Sequence, residues 1–427
     1  MAETAEPLAQ FKRAVANGDA PALTRLLETD PRLKANLNDP LFSFDTPAVV
    51  IAASRDHRGV IDVLLDAGAD VNARSKWWAG SFGVLDLASA GTSAYLIQRG
   101  AILDAHAASR LGMFDRLQEL ISADPALVHA RGGDGQTPLH FASTVEISGY
   151  LLDRGADIDA RDVDHESTPA QYLVASHPEV VRYLIGCGAK ADLFLAAAVG
   201  DAGLARRHLD ADPESIRARV NEDFFPKQDP RSGGTIYIWT LGMNRSPHQV
   251  ARKFGHPNVL ELLMDRSPAD VKSVEACLDG DRASLQALLA SHPDLVSKLD
   301  QAGRRHVSDA AQDNNLPGVR LMLEYGWPVE GSGGVTPLHW AAFHGNAEMV
   351  REILRYSPPL DQADPQFHAT PLGWAIHGSE HGWHRDTGNY AAAVEALLRA
   401  GAAFPEKIEG SQAVRQALTS NQRPRSL

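Results

Sequence analysis

The chain has 427 residues, 44% of them hydrophobic and 22% charged, a composition that folds and buries a core. A net charge of −13 speaks against the clustered Lys and Arg needed to grip phosphate backbones, so nucleic acid and membrane surfaces are not expected partners. Two cysteines, Cys187 and Cys277, exclude a disulfide framework; the start "MAETAEPLAQFKRAV" has no signal-peptide core, and no apolar run approaches the roughly 20 residues of a membrane helix, so a soluble, cytoplasmic protein is expected.

Taken in chain order, the sequence repeats itself. "TPAVVIAASRDHRGVIDVLLDAGADVNAR" starts at Thr46, "TPLHFAS" at Thr137, and "STPAQYLVASHPEVVRYLIGCGA" has its threonine at Thr168. "SPHQVARKFGHPNVLELLMD" starts at Ser246, "TPLHWAAFHGNAEMVREILRYSP" at Thr336 and "TPLGWAIHG" at Thr370. Each part has a physical reading. Thr caps a first helix, and Pro sits at its first position, where no N–H is needed. Paired alanines let helices approach closely, and a Gly ends the first helix in a left-handed conformation. Val and Leu at three- and four-residue spacing bury a second helix. Asp and Asn then start the turn to the next unit.

TPLH, the Ala-Ala pair, V-x-x-LL and GAD-V-N-A closely resemble the ankyrin repeat. The resemblance implies an all-α solenoid of helix pairs joined by short β-hairpins, with the first helices lining a concave face. With the TPLH threonine as zero, starts fall near residues 9, 46, 82, 103, 137, 168, 191, 246, 271, 305, 336 and 370, or about twelve repeats. The array is irregular. "LASAGTSAYLIQRGA" and "FASTVEISGYLLDRGA" read as repeats with shortened second helices. The expected organisation is N-terminal repeats over 1–221, an inserted β-rich loop over 222–244, C-terminal repeats over 245–405, and a cap and tail over 406–427.

Two insertions interrupt the pattern. In the first, "TIYIW" (235–239) alternates with period two and reads as a strand with Tyr237 and Trp239 on one face. The second lies between the two helices of the repeat at Thr370 and contains "SEHGWHRDTGN".

The resemblance implies that positions four, seven and eight after the threonine point outward on the inner face. Toward the C-terminus those positions hold Glu275, Asp309, Trp340 and Trp374, then Asp279, Asp313 and His344, with His377 at position seven. The consensus histidines His140 and His339 are expected to hydrogen-bond between repeats. His377-Gly-Ser-Glu380-His381 fits a zinc-peptidase pattern, H-x-x-E-H. Gly378 weakens the helix that pattern needs, and the repeat register leaves His377 on the helix but Glu380 and His381 at or past its end. No metal and no cofactor are therefore expected.

Two functional readings follow. One is a non-enzymatic module binding a protein partner on the concave face. The other is a small-molecule site with metal-independent acid–base chemistry of hydrolase or lyase type, on a sugar or flat ring. There Asp309, Asp313 and His344 would do the chemistry. Tyr237, Trp239, Glu275, Asp279, Trp340, Trp374, His377 and His381 would bind the ligand.

Overall fold

The computed structural model describes residues 5–330 and 334–422. The last five residues of the expected tail, 423–427, lie outside the described residues. The chain forms two compact units, Met1–Asp265 and Arg266–Leu427.

The first unit is a succession of helix pairs. Ala5–Asn17 precedes Ala20–Thr29, Ala48–Ser54 precedes Arg58–Asp66, and the series runs on through Leu193–Val199 and Ala202–Ala211 to Pro247–Lys253 and the helix that starts at Pro257. Most successive first helices pack on one another, as do the second helices Ala20–Thr29 with Arg58–Asp66 and Val145–Asp153 with Pro178–Gly186. The periodic leucines explain why. Leu64, Leu96, Leu151, Leu184 and Leu263 are fully buried, each presented by an amphipathic second helix to its neighbours. The second unit repeats the arrangement with Ala269–Leu278 and Arg282–Ser291, Gln301–Gln312 and Leu316–Glu324, Pro337–Phe343 and Ala347–Leu354, and Pro371–His381 and Tyr390–Ala400, followed by Gln412–Asn421.

The TPLH motif works through its histidine. In both copies Nδ1 accepts from the threonine backbone N–H at 3.0 Å, Thr137 for His140 and Thr336 for His339. Nε2 then donates to the residue before the next threonine, Ser167 O or Ala369 O, at 3.2 Å in each case. One ring thus caps its own helix and bonds to the following repeat. Burial pushes His140 down to about 3. This bond contributes fully above the unfolded histidine value near 6.5, and its contribution is lost as pH falls toward about 3.

The expected β-hairpins are replaced by turns. The described residues contain no strand, and one isolated bridge joins Phe42 and Thr46. The connecting loops are held by short polar side chains instead of a ladder. Asn38 Oδ1 accepts from Asp70 N at 2.9 Å, Asn72 Oδ1 from Ile102 N at 2.8 Å, and Asp159 Oδ1 from Lys190 N at 2.8 Å. Such side-chain bonds compete directly with strand pairing. The two short repeats also differ from expectation. Their second helices, Ala90–Gln98 and Val145–Asp153, have the same nine residues as Arg58–Asp66. The shortening falls on the first helices, Val84–Leu87 and the 3-10 turn Pro138–Phe141.

The 222–244 insertion is not a β-rich loop, and "TIYIW" is not a strand. Ile238–Gly242 forms a π-helical turn. Tyr237 is fully buried while Trp239 is 74% exposed, so the two do not share a face. The apolar run permitted either period, and the core decided: Tyr237 and Leu241, four apart, are both buried. The Tyr237 ring packs against Phe194 and Phe225, with centroids 5.8 and 5.4 Å away. Its hydroxyl donates to Asp192 at 3.0 Å, the residue that caps Leu193–Val199.

Candidate functional site

The sequences Thr336-Pro-Leu-His-Trp and Thr370-Pro-Leu-Gly-Trp place Trp340 and Trp374 at one position of two successive first helices. Those helices, Pro337–Phe343 and Pro371–His381, pack closely on each other. The indoles meet edge to face at 5.1 Å. Phe343 adds its edge to Trp374 at 5.7 Å. Trp383, from the second insertion, stacks on Trp340 at 6.1 Å with 20° between the planes and meets Phe343 at 5.3 Å. Edge-to-face and offset-stacked pairs of this kind each add about 0.5–1.5 kcal/mol beyond their buried area. Trp383 nevertheless remains 66% exposed. The result is an aromatic shelf with an open indole on top.

Two anchors hold the shelf. Trp374 Nε1 donates to Asp364 Oδ2 at 3.0 Å. Asp364 is buried and also accepts the backbone N–H groups of Gln366, Phe367 and Ala369. Burial works against its charged form, but the hydrogen bonds from Phe367, Trp374, Ala369 and Gln366 outweigh it and bring the carboxyl down to about 2. The second anchor is Tyr390, buried, whose hydroxyl donates to Phe343 O at 2.9 Å. The inserted turn passes directly over this ring. Gly378 lets the two helices touch there, since a Cβ on it would come within 2.5 Å of Phe343 O. An ordinary helix glycine gains about 1 kcal/mol on becoming alanine. Gly378→Ala is expected to show the opposite sign, a loss of about 2 kcal/mol from overpacking, read from urea unfolding.

The expected site residues fall into groups. Trp340, Trp374 and His344 come together. His344 is buried, with Nε2 donating to Gln312 O at 2.8 Å, and burial lowers its pKa. Its ring lies 5.0 Å from that of His384. His377 and His381 follow Trp374 by three and seven positions, which places them near one face; both are exposed, with rings 4.8 Å apart. The helix runs unbroken to His381, so the expectation that the register splits H-x-x-E-H is corrected. Gly378 is accommodated because its missing side chain is what allows the close packing.

Asp309 and Asp313 are half-buried, at the end of the helix that packs beside Pro337–Phe343. His306 Nδ1 lies 3.4 Å from Asp309 Oδ2. The acidic row does not form one exposed face. Glu275 is fully buried in Ala269–Leu278, whereas Asp279 is exposed just past its end. Tyr237 and Trp239 belong to the other unit, and Tyr237 is part of its core. Sequence reasoning passed over Phe343 and Asp364. The signal for Asp364 was present in "ADPQF", where Asp before Pro is a strong turn-former that bonds to the following backbone.

Comparison with known families agrees with this architecture. The profile described as ankyrin repeats matches residues 105–215, 274–369 and 307–408, together more than half of the chain, and a single-repeat profile matches residues 45–76. The chain belongs to the ankyrin-repeat family. Among characterised proteins it is 28% identical over 146 residues to the palmitoyltransferase Hip14 of Drosophila melanogaster, covering 33% of this chain and 21% of that protein. It is 31% identical over 117 residues to the ankyrin repeat and SAM domain-containing protein 6 of Mus musculus, covering 26% of this chain and 13% of that one. Over 49 residues it is 45% identical to the serine/threonine-protein kinase VIK of Arabidopsis thaliana, 11% of either chain. The chain thus spans between 11% and 21% of the length of these relatives. None of its described helices is long and apolar enough to cross a membrane.

Proposed function

We propose that this ankyrin-repeat protein is a protein-interaction module, and that its recognition surface is the shelf of Trp340, Phe343, Trp374 and Trp383, edged by His377, His381 and His384. The observation that carries this is Trp383, a 66%-exposed indole stacked on a second tryptophan and held in place by a pinned turn. Interface hot spots are enriched in Trp, and a rigid indole loses little entropy on binding. On this reading all twelve helix pairs act as repeats and the shelf lies on the concave face. The free thiols of Cys187 and Cys277 fit a reducing cytoplasm. The negative net charge disfavours nucleic acid as the partner.

Acid–base chemistry by Asp309, Asp313 and His344 has weaker support. His344 is buried and committed to a backbone carbonyl, whereas a general base needs access to a substrate proton.

The test compares wild type with Trp383→Ala, immobilised and exposed to native lysate, followed by affinity measurement on the purified partner. The side chain is mostly exposed, so the variant is expected to melt within a few degrees of wild type while losing about 30-fold or more in partner affinity. A partner that binds wild type and the Trp340→Ala/Trp383→Ala double variant equally, with both folded by circular dichroism, would falsify the assignment of the shelf.

A further inference from the structure

Three loops of the first unit, at residues 132–136, 162–167 and 228–235, are laced together. Val163 N donates to Asp134 O at 2.8 Å, and Gly233 N to Asp164 O at 2.9 Å. Where they meet, Asp134, Asp164 and His165 each have one polar atom committed outside the trio. Trp77 Nε1 donates to Asp134 Oδ1 at 3.1 Å. Gly233 N donates to Asp164 Oδ1 at 3.2 Å. His165 Nδ1 lies 2.9 Å from Gly234 O, a contact only an N–H can make, so Nε2 is the bare nitrogen of the neutral ring.

The three remaining atoms face one another. His165 Nε2 is 3.7 Å from Asp164 Oδ2 and 4.0 Å from Asp134 Oδ2, and all three lie within 4.8 Å. None of them receives a hydrogen bond from the described residues. The Asp164 side chain is only 7% exposed, and its Oδ2 is aimed at the meeting point. Lone pairs converging in a largely dry pocket repel unless a cation stands between them.

We propose that Asp134, Asp164 and His165 bind one divalent transition-metal ion of the zinc class, with water completing its coordination. The donor set decides the class. An imidazole favours Zn over Mg or Ca, and Ca would need six to eight oxygens. A tetrahedral ion with bonds of about 2.0–2.1 Å holds its ligand atoms about 3.4 Å apart, so the two His165 contacts, at 3.7 and 4.0 Å, need only tighten slightly, and the carboxylate oxygens, within 4.8 Å of one another, draw in beside them. The outer bonds from Trp77, Gly233 and Gly234 are those expected of a metal site: each orients one ligand and leaves the other atom for the ion. The ion would tie the 228–235 segment, through the hydrogen bond from His165 to Gly234 O, to the other two loops.

The competing occupant is a proton, an imidazolium at His165 serving both carboxylates, and the experiment separates the two. The full chain is made with His377→Gln and His381→Gln so that the exposed histidine pair contributes nothing, stripped with EDTA, and titrated with ZnCl2 by calorimetry, with native mass spectrometry and melting curves alongside. One zinc per chain and a melting temperature raised by several degrees are expected. Asp164→Asn keeps the shape and the Gly233 bond and is expected to weaken binding by at least about 100-fold. Trp77→Phe removes the outer bond to Asp134 while keeping an aromatic ring beside Phe44 and Trp78, and is expected to weaken binding by about 10-fold. His165→Gln is the second variant should Asp164→Asn fail to fold. The proposal is overturned if zinc leaves the melting temperature unchanged, or if a folded Asp164→Asn or His165→Gln binds zinc as tightly as the parent.

Discussion

Tyr237→Ala is expected to lower the unfolding free energy by about 4 kcal/mol, within the range for removing a fully buried aromatic ring. Two losses add here. The ring leaves a cavity bounded by Phe194 and Phe225, and Asp192, half-buried, loses the hydroxyl that donates to it. Burial already raises the Asp192 pKa, so a missing donor is felt strongly. Tyr237→Phe separates the two parts. It keeps the packing and is expected to cost about 1–2 kcal/mol. Urea unfolding monitored by circular dichroism measures both. A Tyr237→Ala protein as stable as wild type would mean that the insertion is not integral to the core.

Asp364→Ala is expected to cost about 3 kcal/mol, because one carboxylate satisfies three backbone N–H groups and an indole. Trp374 would lose its anchor, and tryptophan emission is expected to shift to longer wavelength. The loss also has a pH signature. The folded pKa of about 2 lies below the unfolded value near 3.9. Asp364 therefore stabilises the protein fully above about pH 4, and the contribution fades as pH falls toward about 2. Melting curves between pH 2 and pH 5 should be steeper in pH for wild type than for Asp364→Ala. Equal slopes would show that the carboxylate is not charged in the fold.

How much of this could be read from the sequence depended on whether a residue's role was local. Helix starts were legible, because Thr-Pro at a helix entrance and periodic leucines act within one turn. The meeting of Trp340 and Trp374 was legible for the same reason, since identical register in adjacent repeats brings side chains together. "TIYIW" was misread because nearly every residue in it is apolar. Its conformation was decided by Asp192 and Phe194, more than forty positions away. Glu275 looked like one of a row until the core closed around it. The Asp134–Asp164–His165 convergence was invisible because its parts sit in separate loops, and the constraints that aim them come from Trp77 and Gly234.

The histidines of the two TPLH motifs carry a further consequence. Each ring is a wire between neighbours, so opening one repeat deprives the one before it of a bond partner as well as of a packing surface. Elements joined this way exchange information about their own folding, and the chain behaves locally as linked spins rather than as independent beads. The links are not uniform. The repeat at Thr370 carries Gly373 where His339 and His140 stand in theirs, so it receives such a bond from its predecessor and passes none on. The repeat at Thr168, with Gln171 at that position, does the same, so these links join pairs of neighbours and stop inside the array as well as near its C-terminal end.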